Sequence, residues 1–181
     1  MPGIDESRSF HPVNIAVLTV SDTRTEANDG SGNTLVERAV AAGQIVVDRT
    51  IVVDNVDAIV GALRSWIARP DIDVVLVTGG TGLTGRDVTP EAFAQVVEKE
   101  IPGFGELFRM QGYEKIGTST IQSRATAGVA GGTYLFALPG SPGACRDAWD
   151  GILVHQLDSR YRPCNFVEIM PRLQEHVGRR K

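Results

Sequence analysis

Residues 78–92 read TGGTGLTGRDVTPEA, directly behind the apolar run DVVLVTG. Glycine, hydroxyl and carboxylate crowded into one turn suit a loop that meets phosphate. The glycines let backbone N–H groups approach an anion, Thr81 and Thr84 offer hydroxyls, and Asp87 could hold a divalent cation against phosphate oxygens. Two nucleotide motifs overlay the same letters. Gly80 to Gly85 satisfies GxGxxG, but a dinucleotide fold needs the helix to open at the last glycine and an acid about 20 residues on, at the end of the next strand. Here the helix-start signal is Thr89-Pro90, the residues near position 105 lie in a helical pattern, and the motif follows the third apolar run. Gly80 to Asp87 also imitates a Walker A loop, with Arg86 for the lysine and Asp87 for the hydroxyl residue that ligates Mg²⁺. An aspartate there repels phosphate unless a metal lies between them. What remains is a glycine-dense turn at the C-terminal end of a strand, where open α/β sheets bind ligands; the competing reading is a tight strand-to-helix turn with Asp87 merely solvated.

Other chemically equipped residues sit in comparable places. Ser21 and Asp22 begin the loop SDTRTEANDGSGNTL and could face the same crevice, although Asx and Ser turns explain them equally well. Asp29-Gly30-Ser31-Gly32 is a flexible turn or an N-cap. Asp54 follows TIVV and is a helix-entry cap or a ligand. Pro139, Gly140 and Ser141 form a third loop of this kind with a helix behind it, able to point N–H donors at an anion or simply to stiffen a strand exit. The segment GTSTIQSR supplies Thr118, Ser119, Thr120, Ser123 and Arg124, the last either a bidentate phosphate clamp or a surface ion pair. His11, His155 and His176 have no partner at motif spacing, which argues against a catalytic triad or zinc site.

The elements that position these residues follow from hydrophobic pattern. NIAVLTV (14–20) and DVVLVTG (73–79) are nearly continuous apolar runs, as expected of strands buried on both faces of a parallel sheet, with QIVVDRTIVV (44–53) between them. NTLVERAVAAG (33–43) and DAIVGALRSWIAR (57–69) read as the intervening helices, placing Trp66 on an amphipathic face, as Trp149 is farther on. This alternation predicts a doubly wound α/β sheet. Thr89-Pro90-Glu91 predicts a helix from Pro90 to about Lys99, broken at Pro102, with another over 104–116. ATAGVAGGTYLFALP predicts a hairpin turning at Gly131-Gly132.

The chain has 181 residues, enough for one domain, and a net charge of −4, which gives no electrostatic footprint for nucleic acid or anionic membrane. Cys145 and Cys164 form no metal or disulfide pattern and suit a reducing compartment. The first residues, MPGIDESRSFHP, carry charges where a signal peptide is apolar and read as a loose arm. Residues 125–145 are uncharged over 21 positions but hold five glycines and two prolines, so they read as core strand and loop rather than a membrane span. A cytoplasmic location is expected.

In combination, VLTVSDTR with DGSGNTL, VVLVTGGTGLTGRDVTPEA, IPGFGELFRM, SRATAGV and ALPGSPGA resemble the MoaB/MogA family of molybdenum cofactor biosynthesis proteins, which share a molybdopterin-binding domain. The likeness spans residues 14–168, between a flexible arm (1–13) and a polar tail (169–181); GTSTIQSRATAGVAG and RPCNF favour the B branch. The resemblance implies a three-layer α-β-α fold, a mostly parallel sheet with a short antiparallel hairpin, and assembly as a trimer or a pair of trimers. It implies adenylyl transfer, in which the terminal phosphate of molybdopterin attacks the α-phosphate of ATP with Mg²⁺ to give adenylyl-molybdopterin and pyrophosphate. By motif, Asp54 and Asp87 match the family's two functional carboxylates and would hold Mg²⁺; Ser21, Asp22, Gly79, Gly80, Thr81, Gly82, Ser123, Pro139, Gly140 and Ser141 match its pterin and nucleotide pocket. The alternative is a protein of the same pathway that binds or carries molybdopterin without turning over ATP.

Overall fold

A computed structural model describes residues 1–177. Its centre is a six-stranded sheet in the order β3-β2-β4-β7-β6-β5. Strands β2 (Asn14–Val20), β3 (Ile45–Val52), β4 (Val74–Thr78) and β7 (Thr133–Leu138) run parallel, whereas β6 (Thr126–Ala130) is antiparallel to β7, and β5 (Lys99–Glu100) to β6. The three apolar runs are thus three neighbouring strands, and the hairpin turns where expected, with Gly131 and Gly132 at φ 57° and 86°.

Alternate residues of each strand feed two cores. Ile15 and Val17 of β2, Val74 and Leu76 of β4 and Tyr134, Phe136 and Leu138 of β7 meet helices α1 (Gly30–Ala41), α4 (Pro102–Ile116) and α5 (Pro142–Ala148), with Trp149 and Leu153 of the π-helical turn after α5. Ala16, Leu18, Val75, Val77 and Leu135 point the other way, onto α2 (Val56–Ile67) and α3 (Thr89–Phe93). Helices on both faces of a mostly parallel sheet give the three-layer arrangement. Both tryptophans serve these cores, Trp149 in the first and Trp66 in the second.

Local signals were overridden in three places. The helix expected from Pro90 to Lys99 stops at Phe93, because Glu98 N–H donates to Val129 O (2.9 Å) and Lys99–Glu100 pairs with β6, so a sheet edge captures the β-branched Val96-Val97 stretch. Thr89 is not that helix's cap: Val88 occupies the position, and the Thr89 hydroxyl donates to Gly79 O at 2.7 Å. The segment read as a flexible arm is strapped down. Its β1 (Gly3–Ile4) pairs antiparallel with β8 (Tyr161–Arg162), and His11 N–H donates to Ser159 Oγ (2.9 Å). Beyond the short helices α6 (Val154–Gln156) and α7 (Phe166–Ile169), Met170 and Leu173 of the polar tail pack on the first core; the last four residues of that tail, 178–181, lie outside the described residues.

Candidate functional site

Loops leaving the C-terminal ends of β2, β3, β4 and β7 meet at one edge of the sheet, the place where parallel α/β sheets bind ligands. The glycine turn is the centre of this edge. Gly79 N–H donates to Leu138 O at 3.0 Å, joining β4 to the Pro139 loop. Gly79 and Gly80 have φ of 105° and 65°, and a side chain at Gly79 would run into the Val20 carbonyl. Only glycine fits both the dihedral and the space. The Thr89 hydroxyl and N–H then close the base of the turn on the Gly79 and Gly80 carbonyls.

On one side of this turn lies an acidic ledge. Asp54, half-buried at the end of β3, accepts the Asp22 N–H on Oδ2 (3.0 Å), and Asp22 Oδ1 accepts the Asp54 N–H (3.1 Å), so the β2 and β3 exits are locked together. Asp22 also ion-pairs with Arg86, reaching over from the glycine loop. Ser21 turns its hydroxyl to the Thr23 and Arg24 amides, both 3.2 Å, and shapes the loop. Asn55 caps α2, which leaves Asp54 free of the helix-entry role. Asp87 Oδ2 accepts both the Thr84 N–H (2.8 Å) and hydroxyl (2.7 Å).

The two carboxyls are electrostatically unlike. Burial, then the neighbouring negative charge of Asp87, pushes Asp54 above the usual carboxylate range. Burial acts on Asp87 in the same direction but is outweighed by hydrogen bonds from Thr84 and the Gly82 amide and by the Arg124 charge, so Asp87 lies below that range. A carboxylate fixed as the anion beside one that gives up its charge more readily can share a cation or a proton. Among the described residues no group of three or more His, Cys, Asp or Glu side chains forms a ready-made metal cage.

On the other side lies a cavity of about 450 Å³, lined by Thr81 and Gly82 of the glycine turn, Ser123, Pro139 and Ser141, with Phe108 and Lys115 of α4 and Asp147 of α5. The expected site therefore divides. Thr81, Gly82, Ser123, Pro139 and Ser141 share the cavity; Asp22, Asp54 and Asp87 form the ledge. At Gly140 a methyl would come within 3.1 Å of Gly79 Cα, so the two loops touch backbone to backbone. Ser141 caps α5 through the Ala144 N–H at 3.2 Å.

Sequence reasoning missed Lys115 and Asp147, whose ion pair (2.5 Å) borders the cavity from two helices 32 residues apart. No local signal marks either residue; nearby, α4 and the 3₁₀ segment Gly117–Gln122 pack closely, since a methyl on Gly112 would lie 2.5 Å from Thr120 Oγ1. Arg124 is no phosphate clamp, since its guanidinium is engaged by the Gly82 and Asp87 carbonyls and by Glu91. Cys145 is buried against Thr78, and burial pushes its thiol up to about 11, which excludes it as a nucleophile near neutrality.

Gly82 links cavity and ledge. A methyl on it would stand 2.7 Å from Asp87 Oδ2. Gly82→Ala is expected to swing that carboxylate aside and lower any Asp87-dependent turnover about tenfold, while the melting temperature falls by less than about 4 °C. Side-by-side rate and melting measurements check this.

Residues 16–159 match the protein family described as "Probable molybdopterin binding domain". Over 160 residues the chain is 54% identical to molybdenum cofactor biosynthesis protein B of Escherichia coli K12, covering 88% of this chain and 94% of that one. A crystal structure of a molybdenum cofactor biosynthesis protein B superimposes with a TM-score of 0.83 at 40% identity, covering 93% of this chain and 99% of the other. The tungsten cofactor synthesizing protein MoaB of Pyrococcus furiosus superimposes with a TM-score of 0.70 at 36% identity, covering 78% and 91%.

Proposed function

Since the chain belongs to the molybdopterin-binding family of molybdenum cofactor biosynthesis proteins, we propose that it adenylylates molybdopterin, joining the pterin's terminal phosphate to the α-phosphate of ATP and releasing pyrophosphate. The observation that carries this reading is the division of the site: a cavity of about 450 Å³ and an acidic ledge, separated by one glycine turn. The cavity has the size for a pterin, and the ledge has the chemistry for a nucleotide's phosphates held through a cation.

In this reading Thr81, Ser123 and Ser141 orient the pterin in the cavity while its phosphate lies along Gly80–Gly82, where glycine lets backbone amides come close. Asp54 and Asp87 would hold Mg²⁺. The donor set fits: two hard carboxylate oxygens, with no cluster of three or more His, Cys, Asp or Glu side chains among the described residues, would leave room for phosphate and water. A divalent cation held there would supply charge neutralisation for the nucleotide's phosphates. The chain itself supplies alignment: a new P–O bond forms from the pterin phosphate to the α-phosphorus, the α–β P–O bond breaks, and pyrophosphate leaves.

The decisive experiment is incubation with molybdopterin, ATP and Mg²⁺, scoring pyrophosphate and adenylylated pterin. Formation of both is expected; molybdopterin binding without pyrophosphate would replace this reading with that of a carrier.

Self-association as a trimer or pair of trimers belongs to the same proposal. Leu107, Met110, Tyr113 and Ile116 of α4 and Ile121 beside it are large, exposed and neighbouring, with Ile121 79% and Met110 64% exposed. Apolar side chains clustered in this way on a monomer mark an interaction surface. Light scattering is expected to give a mass of three or six chains, and Met110→Glu to reduce it.

A further inference from the structure

Three carbonyls of the glycine loop accept hydrogen bonds from one residue. Arg124 N–H donates to Thr81 O at 2.9 Å, Nε to Gly82 O at 2.7 Å and Nη2 to Asp87 O at 2.7 Å. Nη1 pairs with Glu91 on α3, which fixes the plane of the guanidinium. The base from which Arg124 reaches is firm, because Ala125 is buried and Thr126 begins β6 inside the sheet. Between these anchors Leu83 to Arg86 are exposed; internal bonds such as Asp87 N–H to Thr84 O fold the loop on itself, and among the described residues its one other outside tie in this stretch is the Arg86 ion pair with Asp22 of the loop after β2.

We propose that Arg124 is a positioning residue: its planar fork spans the Gly82 and Asp87 carbonyls, so the two ends of the loop keep a fixed separation and the Asp87 carboxylate keeps one direction beside Asp54. This rests on the adenylylation reading for its consequence in catalysis, though not for its structural content. The planar guanidinium suits the task, since two donors in one rigid plane fix two acceptors relative to each other. A lysine keeps the charge but is a single point donor on a flexible stem, and cannot hold both carbonyls.

Arg124→Lys separates geometry from charge. Amide hydrogen exchange of residues 82–88 is expected to accelerate at least about tenfold, while the strands 14–20 and 74–78 keep native protection. Pyrophosphate release should fall at least about tenfold in kcat, with the KM for molybdopterin within about threefold of native. Glu91→Gln, which removes only the carboxylate that sets the guanidinium plane, should give the same local exchange pattern at smaller size, and it serves if the lysine variant does not fold. Native exchange at 82–88 would overturn the proposal, as would acceleration spread evenly along the chain, which reports lost global stability. If the native protein releases no pyrophosphate, the adenylylation reading fails and the exchange measurement still decides the role of Arg124.

Discussion

The Asp87→Asn variant is expected to release pyrophosphate at least about a hundredfold more slowly than the native chain, while melting within about 2 °C of it. The two halves of this expectation have separate causes. Asparagine keeps an amide oxygen that can still accept from the Thr84 N–H and hydroxyl, and the Asp87 carbonyl held by Arg124 is untouched, so the loop keeps its shape. What disappears is the negative charge. Because Asp87 is held below the usual carboxylate range, that charge is present at any pH at which the protein works. In the proposed reading its removal leaves Asp54 alone of the two carboxylates that would hold the cation, and it also removes one of the two causes raising Asp54, burial being the other. On that reading the cation would meet one charge in place of two. A pyrophosphate assay at saturating Mg²⁺ and a thermal melt of the same sample check both halves; native turnover in a folded Asp87→Asn chain would remove Asp87 from the mechanism.

The features of this site legible in the sequence were those whose cause is local. The failure of both nucleotide motifs, read from the late helix start and from Arg86-Asp87 in place of lysine and hydroxyl, agrees with a loop whose helix begins only at Thr89. The hairpin glycines and the parallel strands followed from turn chemistry and continuous apolar runs. The features that were hidden depend on distant partners. The stretch after Phe93 has acceptable helix signals, and only the presence of β6 alongside makes Lys99–Glu100 a strand. Lys115 and Asp147 look like ordinary solvated charges until α4 and α5 are packed together. Arg124 could be read as a phosphate ligand because a sequence shows a guanidinium but not which of its N–H groups are already engaged. The division of one expected pocket into cavity and ledge was likewise invisible, since it depends on which loops meet in space, as Gly79 and Gly140 do from 61 residues apart.

Replacing Asp29 by alanine is expected to lower stability at neutral pH by about 3 kcal/mol, the low end of what breaking a buried ion pair costs. Asp29 is fully buried and caps α1 through the Gly32 N–H at 2.9 Å, while it accepts the Thr19 hydroxyl at 2.6 Å and Arg49 Nη2 at 2.8 Å. Its removal leaves the Thr19 hydroxyl and the Gly32 N–H short of an acceptor, whereas the partly exposed Arg49 can recover some hydration, which is why the low end applies. The acid dependence has a definite sign. Burial raises the Asp29 carboxyl, but the bonds from Thr19, Arg49 and Gly32 outweigh it and bring the folded value below the ordinary one. The unfolded chain therefore binds this proton more tightly than the folded chain. The stabilisation is complete above the unfolded value of about 3.9 and is lost as the pH falls through the lower folded value. Urea unfolding of the native and Asp29→Ala chains should show the full difference at pH 7 and a smaller one on the acid side of that window. A difference that stays constant with pH would mean that the carboxylate is not what holds the start of α1 against β2, from whose end Ser21 and Asp22 run out to the ledge.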